Sequence, residues 1–114
     1  MENRLLNFEI AGAVPMEQMR AVMAGLRAAP AETLAGSAVT AVKDYAQGVD
    51  GLPVSNVLSY ATEDGRKALV RPSGTEPKVK VYLSARADTH EAARAALDAM
   101  ESEWRARILE GSHE

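Results

Sequence analysis

The chain has 114 residues, 46% of them apolar, with 13 basic and 16 acidic side chains and a formal net charge of −3. That is enough for one domain with a core of its own. The absence of cysteine excludes disulfides, thiolate metal sites and cysteine catalysis. The acidic balance argues against nucleic acid as a partner, and no apolar run approaches the ~18 residues that read as a membrane span.

Met1 to Leu6 shows no extended apolar region, so no signal peptide is read and the cytoplasm is the expected location. Leu6, Phe8 and Ile10 alternate with Asn7 and Glu9, which predicts a half-buried strand ended by Gly12. Pro15 suits the first turn of a helix. Met16, Met19, Met23 and Leu26, with Val22 beside them, share one helical face, spacing that predicts core packing; Pro30 closes this helix. A second strand is predicted over 38–45, with Val39 and Val42 leaving its buried face ambiguous. The turn residues Gly48, Asp50, Gly51, Pro53, Ser55 and Asn56 then mark a loop.

Residues 57–62 predict a third strand, Glu63-Asp64-Gly65 a hairpin turn, and 67–71 the returning strand. Periodicity breaks from Arg71 to Lys78. Val79, Val81, Leu83 and Ala85 then alternate with polar residues as a fifth strand. Asp88 with Glu91 three residues on resembles a capping box, and Ala93, Leu97, Met100 and Trp104 line one face of a last helix, Trp104 as a core anchor. The order strand, helix, four strands, helix predicts an α+β fold, an antiparallel sheet with helices packed on one side. Residues 1–109 read as the domain and 110–114 as a disordered tail.

The chemistry concentrates in Arg71-Pro72-Ser73-Gly74-Thr75-Glu76-Pro77-Lys78-Val79-Lys80-Val81-Tyr82. A phosphate needs fixed donors, positive charge and close backbone approach. Arg71 offers a planar fork for two oxygens, and Ser73 and Thr75 offer hydroxyls. Gly74 lets the chain wrap an anion, Pro72 and Pro77 stiffen the loop, and Lys78 and Lys80 add charge. Three cations less one carboxylate leave about +2 on this stretch, against an acidic chain. It is not a Walker-type loop, because the Gly-Lys-Ser/Thr ending is absent. From the residues alone an ordinary hairpin loop remains open. So does the role of Glu76, which would repel a phosphate, orient a lysine or receive a sugar hydroxyl.

The run Arg71 to Lys78 resembles the phosphate-binding loop in the last domain of the phosphohexomutases, the phosphoglucomutase and phosphomannomutase class. Gly51-Leu52-Pro53 and Asn56-Val57 resemble its lead-in, and the order of elements resembles that domain's TATA-binding-protein-like α+β fold. The resemblance implies that Arg71, Ser73, Gly74 and Thr75 contact the phosphate already on a hexose phosphate. Lys80, two before Tyr82, takes the place of a further contact of some members, and Lys78 is a candidate beside it. The family's serine nucleophile loop and its aspartate-rich magnesium loop are not found here, since Asp44, Asp50, Asp64, Asp88 and Asp98 are scattered singly.

No catalytic residue, metal ligand or cofactor is therefore expected in this chain. Magnesium is expected in the rest of a full enzyme, with the parent mutase's other domains as partners. A stand-alone sugar-phosphate-binding or regulatory module is the alternative. His90 and His113 have no partner at metal-ligand spacing, and Ser73 has no nearby histidine to serve as its base.

Overall fold

A computed structural model describes residues 2–10, 15–45, 56–73 and 76–110. In chain order the elements are β1 (Glu2–Glu9), α1 (Pro15–Ala28), β2 (Thr33–Leu34), β3 (Ser37–Asp44), β4 (Leu58–Thr62), β5 (Lys67–Pro72), β6 (Lys78–Ala85) and α2 (His90–Arg105). A π-helical turn, Ala106–Glu110, follows. The strands form one antiparallel sheet in the order β1-β6-β5-β4-β3-β2. The α+β class read from the sequence is the class observed.

Alternation decides which face of the sheet is buried. Phe8, Tyr60, Val70, Val79, Val81 and Leu83 pack in one cluster with Met19, Met23 and Leu26 of α1 and Leu97, Met100 and Trp104 of α2. Both helices therefore cover the same face. Trp104 is the core anchor the sequence predicts: it is 2% exposed, with its ring centroid 5.4 Å from that of Tyr60. Burying a large apolar side chain contributes roughly 1.5–3 kcal/mol, so this cluster supplies the fold's main driving force. Asn7, Arg71, Lys80 and Tyr82 lie on the opposite, open face.

Several boundaries differ from the sequence reading, each for a physical reason. β1 starts at Glu2 rather than Leu6, because Glu2 and Arg4 lie on the helix side and find partners there. Arg4 Nη1 donates to Asp98 (2.7 Å) and Glu101 (3.0 Å) of α2, and Glu2 meets His90 Nδ1 at 2.5 Å. The short strand β2 was not predicted. It returns into β3 through Ala35 and Gly36, both at positive φ (52° and 88°), as a type I′ turn requires. An alanine there is strained. The turn is held from outside: Arg66 Nη1 donates to the carbonyls of Leu34 and Ala35, and the Ala35 N–H donates to Glu103.

The ambiguity in β3 resolves through a bulge between Val39 and Ala41. It brings Val39 opposite Thr62 and Val42 opposite Tyr60, on one face although they are three residues apart. The cap of α2 is Thr89, not Asp88; its hydroxyl accepts from the Ala92 N–H at 3.1 Å. Gly12 and the Gly51-Leu52-Pro53 lead-in lie outside the described residues. Of the expected tail, Glu110 closes the π-helical turn and residues 111–114 lie outside the described residues.

Candidate functional site

The β5–β6 hairpin builds the site. Its register sets Arg71 directly opposite Lys80, and Pro72 opposite Val79. Val79 and Val81 are fully buried, so Lys80 between them projects from the open face. Directly opposed side chains have Cβ atoms roughly 5 Å apart, close enough for guanidinium and ammonium to meet on one anion. Among the described residues neither Arg71 nor Lys80 has an ion-pair partner. Like charges abreast weaken a sheet, so the fold keeps this pair at a cost.

Beyond Arg71 the chain turns. The Ser73 N–H donates to the Lys78 carbonyl at 2.8 Å, closing the hairpin, and the Ser73 hydroxyl accepts from the Glu76 N–H at 3.2 Å. The Lys78 N–H reaches back to the Glu76 carbonyl at 2.8 Å across Pro77, a three-residue turn that the fixed φ of proline suits. The Pro77 carbonyl in turn accepts from the Ile10 N–H at 2.7 Å, fastening the loop to the end of β1. Arg71, Pro72, Ser73, Lys80 and Tyr82 line an open pocket of about 170 Å³. Gly74 and Thr75 lie outside the described residues.

Lys78 is held differently. Its ammonium stands 3.1 Å from Glu76 and 3.8 Å from Glu9, which lies opposite it on β1. The hydrogen bond and charge of Glu76, then the charge of Glu9, raise its pKa above the usual lysine range. Glu76 therefore orients a lysine, one of the roles the sequence leaves open.

Tyr82 was not singled out as a site residue, although strand alternation places it on the same face as Lys80. Glu9 could not have been found by spacing, since it is far away in the chain. His90 stands beside Glu2, which pairs with Ala85 at the opposite end of β6 from the loop.

A larger hollow of about 440 Å³ lies between the α1–β2 connection and the end of α2, lined by Pro30, Glu32, Thr33, Glu103, Trp104 and Arg107 among others. It sets two carboxylates beside one cation, which suits a phosphate poorly. Among the described residues no group of three His, Cys, Asp or Glu could hold a metal ion, and no helix is long and apolar enough to cross a membrane.

An antiparallel sheet with helices on one face, carrying a basic hairpin loop on its open side, is what the phosphohexomutase resemblance implies for fold. Residues 5–102 match the family described as phosphoglucomutase/phosphomannomutase, C-terminal domain, and the chain belongs to it. A phosphoglucomutase of Staphylococcus haemolyticus (strain JCSC1435) is 38% identical over 86 residues, covering 66% of this chain and 16% of that protein. A phosphoglucomutase of Staphylococcus aureus (strain bovine RF122 / ET3-1) is 33% identical over 94 residues, covering 73% of this chain and 17% of that protein. The chain thus spans 16–17% of the length of these relatives.

Proposed function

We propose that this domain holds the phosphate of a hexose phosphate while a phosphohexomutase moves a phosphoryl group between positions of the same sugar. Arg71 grips two phosphate oxygens with its fork, and Lys80 meets the same dianion from the neighbouring strand. Ser73 supplies hydrogen bonding at the turn, and the family resemblance adds Gly74 and Thr75 as further phosphate contacts. Lys78 stands at its flank, engaged by carboxylates. The observation that carries this reading is the pair of opposed cations on the open face, next to a hydroxyl and without a carboxylate partner among the described residues.

Within this reading the chain binds and orients, and the transfer itself belongs to other domains of a parent enzyme in the cytoplasm. Magnesium is expected with those domains. By itself the chain turns over no glucose 1-phosphate.

An amide-resolved NMR titration with inorganic phosphate tests the reading. Shifts should concentrate at residues 71–80, and binding should weaken below the phosphate's second pKa of ~6, where the dianion becomes a monoanion. Shifts clustered elsewhere, for instance around Trp104 and Arg107, would overturn it, as would turnover by the purified chain.

A further inference from the structure

The open face carries two adjacent rows of different chemistry. The first runs Asn7, Lys80, Arg71 across β1, β6 and β5. The second, two residues further from the loop on each strand, runs Leu5, Tyr82, Leu69. At ~3.3 Å per residue the rows lie roughly 6.6 Å apart, about the separation between a phosphate and the body of the small molecule that carries it.

The second row is apolar and open. Leu5 is 50% exposed and Tyr82 39%, and Leu69 is half-buried between neighbours. Single exposed apolar residues need no explanation, but these three stand abreast. Tyr82 also lines the same pocket as Arg71, Ser73 and Lys80. Inorganic phosphate would fill only the cationic end and leave the ring facing water. A phosphate ester whose ring has an apolar C–H face would cover the tyrosine as well, and the phenol O–H remains a handle for a hydroxyl.

We infer that Tyr82, flanked by Leu5 and Leu69, is the platform for the organic half of the ligand. The C–H face of a hexose ring rests on Tyr82 while the phosphate is held by Arg71, Ser73 and Lys80. This rests on the phosphate reading of the loop and adds a selectivity to it: ring-bearing phosphate esters over short acyclic ones of equal charge. The competing use of the row, as a surface buried by another part of a longer protein, makes no such distinction among small ligands.

The test titrates the full chain at pH 8 with glucose 6-phosphate, glycerol 3-phosphate and inorganic phosphate. The parent should prefer the hexose ester to the glycerol ester by about fivefold, the scale of one aromatic contact. Tyr82→Ala should abolish that preference while leaving the glycerol ester within about twofold of the parent; Tyr82→Phe should keep it. Tyr82→Thr, which suits a strand, replaces the alanine variant if that one melts. No preference in the parent, its survival in Tyr82→Ala, or its loss in Tyr82→Phe would overturn the platform. So would equal weakening of all three ligands, which would make Tyr82 a support for the loop alone. Arg71→Ala separates the two ideas: where one of those results occurs and Arg71→Ala still abolishes binding, the phosphate reading stands while the platform falls. If Arg71→Ala binds all three ligands normally, both fall together.

Discussion

Replacing Arg71 is the most direct perturbation of the site, and the structure sets its scale. Arg71 is exposed and Lys80 half-buried, on an open face. The surrounding dielectric is therefore closer to that of water, in which unit charges at ~4 Å interact by roughly 1 kcal/mol, than to that of a protein interior. Hydrogen bonds to charged groups contribute ~1.5–3 kcal/mol each. Two bonds from the Arg71 fork, weakened by solvent, should together be worth about 2–3 kcal/mol, or roughly 30- to 150-fold in affinity. Lys80, as a single point charge, should be worth about 1 kcal/mol, roughly fivefold. Immobilising the ligand consumes several kcal/mol, so the parent should bind phosphate near the millimolar range, about 4 kcal/mol.

In titrations at low ionic strength, Arg71→Ala should thus drop out of measurable range. Arg71→Lys should recover the charge but not the fork, falling in between. Lys80→Ala should weaken binding while the melting curve stays put, since Lys80 points away from the core. Raising the salt from ~0.01 to ~0.15 M shortens the Debye length from about 30 to 8 Å and should weaken the parent more than Arg71→Ala. An Arg71→Ala variant binding within about twofold of the parent, or a ladder with Lys80 above Arg71, would refute the assignment of the fork to the phosphate.

Gly65 and Gly36 both sit at positive φ, but a Cβ on Gly65 would come 2.8 Å from the Arg86 Cβ, whereas one on Gly36 meets nothing within 4 Å. Urea unfolding should therefore show Gly36→Ala costing about 1–2 kcal/mol and Gly65→Ala clearly more; equal costs would mean that Arg86 moves aside freely. Tyr60 is fully buried, burial pushes its phenol pKa up, and its hydroxyl has no hydrogen-bond partner among the described residues. Tyr60→Phe should accordingly be neutral or stabilising by up to about 1 kcal/mol, and a loss of that size instead would reveal a partner for the hydroxyl. Hydrogen bonds from Ser37 first and then Thr62, with Arg66 nearby, hold the Asp64 carboxyl below the usual aspartate range. Its stabilisation is complete above the unfolded value of about 3.9 and is lost as pH falls through the lower folded value. Asp64→Asn should flatten the stability curve below pH ~4 in denaturation series; an unchanged slope would contradict this.

What was legible in the sequence follows from where the information sits. The alternation of Val79, Val81, Leu83 and Ala85, and the stripe from Met19 to Leu26, are local patterns set by the element's own period, and both are buried as read. Gly65 marks its turn because no other residue takes that φ without strain. The early start of β1 was hidden because the partners that let Glu2 and Arg4 face the helices come from α2, some 90 residues on. The β3 bulge was equally hidden, since it is set by pairing with β4. For the site, the residue types of the loop pointed to an anion, and Lys80 was separable from the core by period two. The engagement of Lys78 by Glu9 could not be seen, because it depends on β1 and β6, the first and last strands, lying side by side.

That pairing of first and last strands also accounts for a carboxylate inside a basic loop. Glu76 is out of place only if every charge in the segment is counted toward the ligand. With Lys78 held between Glu76 and Glu9, the positive charge left for an anion is that of Arg71 and Lys80, two unit charges abreast. A phosphate monoester carries about −1.5 to −2 near neutral pH, so the charge on offer matches that of the ligand proposed for this loop. A third uncommitted cation on the same face would add to the like-charge repulsion that already burdens the β5–β6 pair. As an ion-paired strut, Lys78 instead works with the Ile10–Pro77 backbone bond to fix the loop against β1. The acidic residue thus serves the loop's geometry and leaves its charge matched to a dianion.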